Sequence, residues 1–213
     1  MGSSVTDSRR PGILSATVAL AALAVACATT PNVPLLLHPV PPTVQRYSLS
    51  QGAIVFSGPD FIVSTRPWDY RLVAEECRSS GEPCPFGDDE AAVGRFIFFR
   101  VRLENHSART LVFNPMRASL LREGEAPLVP LENSDLFMFA KDEHADAEAR
   151  GRVFRRMSFD GAVTLRPGQE IERYLAFRSP KELASRFVLE IADLWLDAKA
   201  FDLYFTFEAF PGK

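Results

Sequence analysis

The feature that most constrains this chain is a period of two in its apolar residues. In residues 96–103, Ile97, Phe99, Val101 and Leu103 alternate with Arg100 and Arg102. Near the carboxyl end, Phe201, Leu203, Phe205 and Phe207 alternate with Asp202, Tyr204, Thr206 and Glu208. Successive side chains of a strand point to opposite faces, so this pattern describes a sheet with one apolar and one polar face. Further short stretches fit: 53–57 and 61–66 about a Gly58-Pro59-Asp60 turn, then 110–114, 118–121, 128–131, 162–165, 170–177 and 187–191. Arg166-Pro167-Gly168 carries the proline and glycine of a type II turn. Glu104-Asn105-His106-Ser107 has turn chemistry too, and that explains its match to a glycosylation acceptor. Helical signal is thin. Residues 142–156 place acids early and arginines late, which suits a helix dipole, with Gly151 as an interruption, and 180–185 suggests one more turn. These signals predict an all-β domain over 45–213: an antiparallel sandwich of about 8–9 strands with one short helix.

The amino-terminal part follows a different logic. Arg9 and Arg10 precede an uncharged run, residues 13–26, which ends at Cys27. As a helix that run rises about 21 Å, short of the ~30 Å hydrocarbon core of a bilayer. Charge, then apolar run, then small residues is the order of a secretory signal. Leu23-Ala24-Val25-Ala26-Cys27 resembles the lipobox of bacterial lipoproteins, with the leucine one place earlier than usual. The resemblance covers residues 1–28. It implies cleavage before Cys27, a diacylglyceryl thioether on its sulfur and a further acyl chain on its amino group. Ala28, rather than an aspartate, resembles the class carried to the outer membrane. Met1-Gly2 with Thr6 also fits a myristoylation pattern, but that reading leaves the apolar run without a purpose.

Between the two parts, residues 27–44 contain Pro31, Pro34, Pro39, Pro41 and Pro42 and read as a lipidated cysteine followed by an extended tether. Leu35, Leu36 and Leu37 are too apolar for a purely solvated spacer, so part of the arm is expected to dock. The mature part looks like the immunoglobulin-like domains of many small envelope lipoproteins. That resemblance rests on Glu104-Asn105-His106-Ser107 and Leu165-Arg166-Pro167-Gly168, each beside a strand, and implies no single activity.

Cys77 and Cys84 sit in a stretch rich in Ser, Gly and Pro. In an oxidising compartment such a pair reads as a disulfide; free thiols and a metal site are the alternatives. The net charge of −3 gives no electrostatic footprint for nucleic acid. No nucleophile elbow, zinc helix, phosphate loop or dinucleotide fingerprint occurs. His38, His106 and His144 are scattered. Two acidic clusters, Asp88-Asp89-Glu90 and Asp142-Glu143-His144 with Asp146, lack the spacing of a cation loop. No cofactor or metal is expected. Phenylalanine is abundant, at 17 residues. Phe137, Met138 and Phe139, and Phe154 and Met157 beside Arg152 and Arg155, have the composition of a partner-binding surface; the alternative is that they fill the core.

The reading that follows is a non-catalytic interaction or scaffold module. Acyl chains on Cys27 hold it at the periplasmic face of the outer membrane, where a protein partner engages it. A carrier or sensor of a small apolar molecule is the second possibility, and a hydrolase the third.

Overall fold

The computed structural model describes residues 34–87, 89–132, 134–135, 144–180 and 184–212. The leader, Cys27 and the start of the tether lie outside these residues, as do residues 181–183. The described chain is all-β with a few short helices. Eleven strands, rather than eight or nine, form two antiparallel sheets.

The first sheet has the order β1-β11-β10-β6-β8, with β7 also paired to β10. Its strands are β1 (Leu35–Pro39), β6 (Leu111–Phe113), β7 (Ala118–Leu121), β8 (Val163–Leu165), β10 (Arg186–Leu196) and β11 (Lys199–Pro211). The second has the order β2-β3-β4-β5-β9, from β2 (Tyr47–Ser50), β3 (Ala53–Ser57), β4 (Phe61–Trp68), β5 (Phe96–Asn105) and β9 (Glu170–Arg178). The inner faces meet across one core in which Val63, Phe99, Leu103, Phe187, Phe205 and Phe207 are fully enclosed. The rings of Phe99 and Phe207, one from each sheet, lie 4.9 Å apart.

Turn chemistry sets the register. Gln51 and Gly52 both have positive φ (49° and 77°), the two-residue geometry that matches strand twist, and they pair Ser50 with Ala53. Gly168, at φ 74°, completes the type II turn before β9, and the Gln169 N–H donates to the Arg166 carbonyl at 3.1 Å. In β10 a bulge between Ile191 and Leu194 places Asp193 at φ 51°.

Three expectations are corrected. Residues 35–39 are not tether: they form edge strand β1, paired along β11 from Leu35↔Pro211 to Pro39↔Phe207. Prolines are tolerated there because an edge strand leaves alternate N–H positions without a ladder partner. Residues 128–131 make isolated bridges, Leu120↔Leu128 and Pro130↔Phe177, instead of a strand. The cysteine stretch begins in a helix: residues 77–80 are the end of α1 (Tyr70–Ser80), and 81–87 form the expected loop. Asp69 caps α1 by accepting from the Arg71 N–H at 2.9 Å, and Gly81 closes it at φ 68°.

A second core explains these helices. In β5, Phe96, Ile97, Phe98 and Phe99 are all buried, so both faces of that half-strand are covered. On the outer side α1, α2 (Glu90–Val93) and α3 (His144–Met157) bring Val73, Val93 and Phe154 over Phe98 and Tyr174. Helix α3 runs through Gly151 despite the ~1 kcal/mol penalty of glycine in a helix.

Candidate functional site

Among the described residues, helices cover the Phe96–Phe98 end of the second sheet's outer face. Beyond them no described element lies over the face, and strand alternation decides what it shows. Because Val63, Thr65, Phe99, Val101 and Leu103 turn into the core, Ser64, Arg66 and Trp68 of β4 and Arg100, Arg102 and Glu104 of β5 turn outward. With Gln51, Ala53, Val55, Ile62 and Glu172 they line a cleft of about 350 Å³.

Arg66 lies directly opposite Arg100 in the β4–β5 register. Both guanidiniums stack on the Trp68 ring, at 4.9 Å and 4.4 Å from its centroid. Cation–π attraction offsets part of the repulsion between them. Arg100 has more help: Glu172 at 3.2 Å and Glu76 of α1 at 3.9 Å. Arg102 pairs with Glu170 at 2.6 Å and Glu104 at 3.2 Å. The hydrogen bond that Arg102 donates to Glu170 raises its ionisation further and holds it in the charged form. Arg66 has no carboxylate partner among the described residues. The Trp68 indole N–H is buried and meets no acceptor among them.

The same wall carries a buried phenol. Tyr174 donates to Glu76 Oε2 at 2.7 Å. Burial, and then the Glu76 carboxylate that accepts its proton, push its ionisation well above the usual range.

The residues singled out from sequence are placed as follows. Cys77 and Cys84 are bonded, with Cα atoms 5.1 Å apart, and the bridge is buried in the second core. It ties the end of α1 to the loop carrying Phe86. Phe137, Met138 and Phe139 lie outside the described residues. Phe154 is fully buried, with its ring 5.9 Å from Phe86, and so is core rather than contact surface. Met157 packs half-buried on the same cluster. Arg152 and Arg155 are exposed; Arg152 pairs with Glu148 at 3.1 Å. The 150s therefore divide into a core face and a solvent face, as an amphipathic helix does.

Asn105 is also core. Its Nδ2 donates to the carbonyls of Arg109 (2.7 Å) and Leu165 (2.9 Å), and its Oδ1 accepts from Ser107. The two turn motifs are thus joined, and the glycosylation match is explained by structure. Asp89 caps α2 by accepting from the Ala92 N–H at 2.6 Å, and Glu90 faces Arg71 at 3.5 Å. No three His, Cys, Asp or Glu side chains among the described residues converge as a metal site requires. His38, on β1, stacks edge-on against Phe210 at 5.1 Å; His106, after β5 in the other sheet, contacts Glu104 at 3.0 Å. No helix among the described residues is long and apolar enough to cross a membrane.

The sequence reading did not identify the Arg66–Trp68–Arg100 group. The alternation Ser64-x-Arg66-x-Trp68 was visible, but the pairing with Arg100 needs the β4–β5 register.

The fold and this face define a two-sheet β protein with an arginine- and tryptophan-walled outer cleft. No protein-family model matches the chain, and no curated protein does. Among solved structures it is similar to the yjhA protein from Bacillus subtilis, at 14% sequence identity, over 51% of this chain and 72% of that one, with a TM-score of 0.33. A likeness at that score carries no argument.

Proposed function

We propose that this chain is a lipid-anchored module of the cell envelope that binds a protein partner through the open outer face of its second sheet. The observation that carries the reading is the cleft around Arg66, Trp68 and Arg100. Arginine and tryptophan are the residues that dominate binding energy at protein interfaces, and here they are held in place by stacking and ion pairs. Burial removes Phe154 from the earlier candidate surface; Arg152 and Arg155 stay exposed beside it.

The anchor is Cys27, in the lipobox-like sequence that precedes it, and the address is the periplasmic face of the outer membrane. The Cys77–Cys84 bridge supports an oxidising compartment. Residues 28–34 leave at most about 25 Å of extended chain before β1, so the domain lies close to the bilayer. We class the domain as an immunoglobulin-like sandwich; two antiparallel sheets facing across one core support this. A small apolar ligand between the sheets has less support, since phenylalanine side chains fill that space. The histidine placements lend none to a hydrolase.

A photo-activatable residue at position 64 in the cleft, and another at position 204 on the outer face of the first sheet, test the proposal in living cells. Position 64 is expected to give a discrete protein adduct and position 204 none. Equal labelling from both, or none from position 64, would count against it.

A further inference from the structure

Like charges directly opposite each other across a strand pair are destabilising. Arg66 and Arg100 are such a pair. Arg100 is compensated by Glu172 and Glu76, and Arg102 by Glu170 and Glu104. Among the described residues Arg66 has the Trp68 ring, which it shares with Arg100, and no carboxylate. An arginine kept at a stability cost is what a binding site produces, since activity and stability often trade against each other.

Arg66 is also pre-positioned. Its Nε passes 3.8 Å from where a Cβ on Gly52 would stand, and its guanidinium stacks on the Trp68 ring at 4.9 Å from the centroid. A planar, stacked guanidinium loses little freedom when it takes a two-oxygen anion.

Two further observations select the anion. Glu104 and Glu172 line the same cleft, so a doubly charged phosphate would meet two carboxylates where a single carboxylate is matched by a single guanidinium. The lining also includes apolar Ala53, Val55 and Ile62 beside Gln51 and Ser64. That mixture suits an extended peptide with apolar side chains beside its acid.

We propose that the cleft receives an acidic peptide segment of the partner, one carboxylate of which supplies the counter-ion that Arg66 lacks. This rests on the reading of the face as a partner surface and names the partner's chemistry.

The test uses the full chain with Trp195→Phe, which leaves Trp68 as the sole indole. The probe is a terminally blocked octapeptide of alternating glutamate and leucine; its glutamine analogue and inorganic phosphate are controls. Trp68 emission should change saturably with the acidic peptide. Affinity should fall at least tenfold for the glutamine analogue and at least tenfold in Arg66→Gln, with partial recovery in Arg66→Lys. The melting temperature of Arg66→Gln should equal or exceed that of the parent, which separates lost binding from lost folding.

Binding of the glutamine analogue as tight as the acidic peptide, undiminished binding in Arg66→Gln, or phosphate binding as tight as the peptide would each overturn the proposal. If the peptide fails to bind while position 64 still captures a partner in cells, the acidic-peptide inference falls and the partner surface stands. If both fail, both fall.

Discussion

Arg66 faces Arg100 across the β4–β5 ladder, and the two guanidiniums share the ring of Trp68. The arrangement makes one arginine structural and the other expendable to the fold. Arg100 closes a network to Glu172, Glu76 and, through Glu76, Tyr174. Its replacement by glutamine should cost about 1 kcal/mol, a fall in melting temperature of roughly 2–4 °C for a domain of this size. Arg66→Gln should leave the melting temperature unchanged or raise it. Thermal unfolding of both variants, side by side, checks the asymmetry.

Asn105 binds together the end of β5, the 107–109 turn and β8 while itself buried. Its replacement by alanine removes the Nδ2 bonds to the Leu165 and Arg109 carbonyls, the second of which still accepts from Ser107 Oγ at 3.1 Å, and removes the Oδ1 acceptor of the Ser107 N–H. A loss of about 2–4 kcal/mol is expected, because buried polar groups left without partners carry a desolvation penalty. Urea denaturation measures it; a loss under ~0.5 kcal/mol would mean that the junction holds without this side chain.

The second core yields a contrast along one helix. Phe154→Ala should destabilise by about 3–5 kcal/mol, the range for emptying an aromatic site. Arg155→Ala, exposed one residue later, should stay within about 0.5 kcal/mol. Chemical denaturation of the pair would expose an error if the two costs were alike.

Removing the disulfide by a Cys77→Ala, Cys84→Ala double substitution should cost about 2.5 kcal/mol in the chain-entropy account of a short loop. The change should concentrate in α1 and the Phe86 loop, which the bridge joins. Hydrogen exchange, compared with and without the bridge, reads where protection is lost.

Tyr174 ties pH to stability. Its folded ionisation is raised by burial and by Glu76, whereas an unfolded tyrosine ionises near pH 10. The folded state therefore holds this proton longer. The stability it contributes is complete below about pH 10 and is lost as pH rises toward the folded value. In absorbance titrations at 295 nm, Tyr174→Phe should leave the folded protein's signal near pH 10 unchanged. It should lower only the increment that appears on alkaline unfolding.

Much of the two-sheet β fold was legible because it rests on local rules. The alternation in 96–103 and 201–208 identified the two long strands, and Pro167-Gly168 fixed the turn before β9. What was missed had competing local signals. Ser79, Ser80, Gly81 and Pro83 made the cysteine stretch look like a loop, although Asp69 and the Tyr70, Val73, Cys77 spacing describe a capped helix. The prolines around β1 suggested an extended spacer, yet an edge strand accepts them. In α3 Phe154 and Met157 beside arginines had interface composition, and only packing reveals that Phe154 points inward. The cleft was least legible, since Arg66 and Arg100 lie far apart in sequence and meet only through register.

The most direct measurement is arginine modification by phenylglyoxal, read residue by residue by mass spectrometry, in intact envelopes and in the purified protein. Arg66 should be shielded in the envelope and reactive once purified, while exposed Arg152 reacts equally in both. Equal reactivity of Arg66 in the two preparations would contradict the claim that a partner occupies this face.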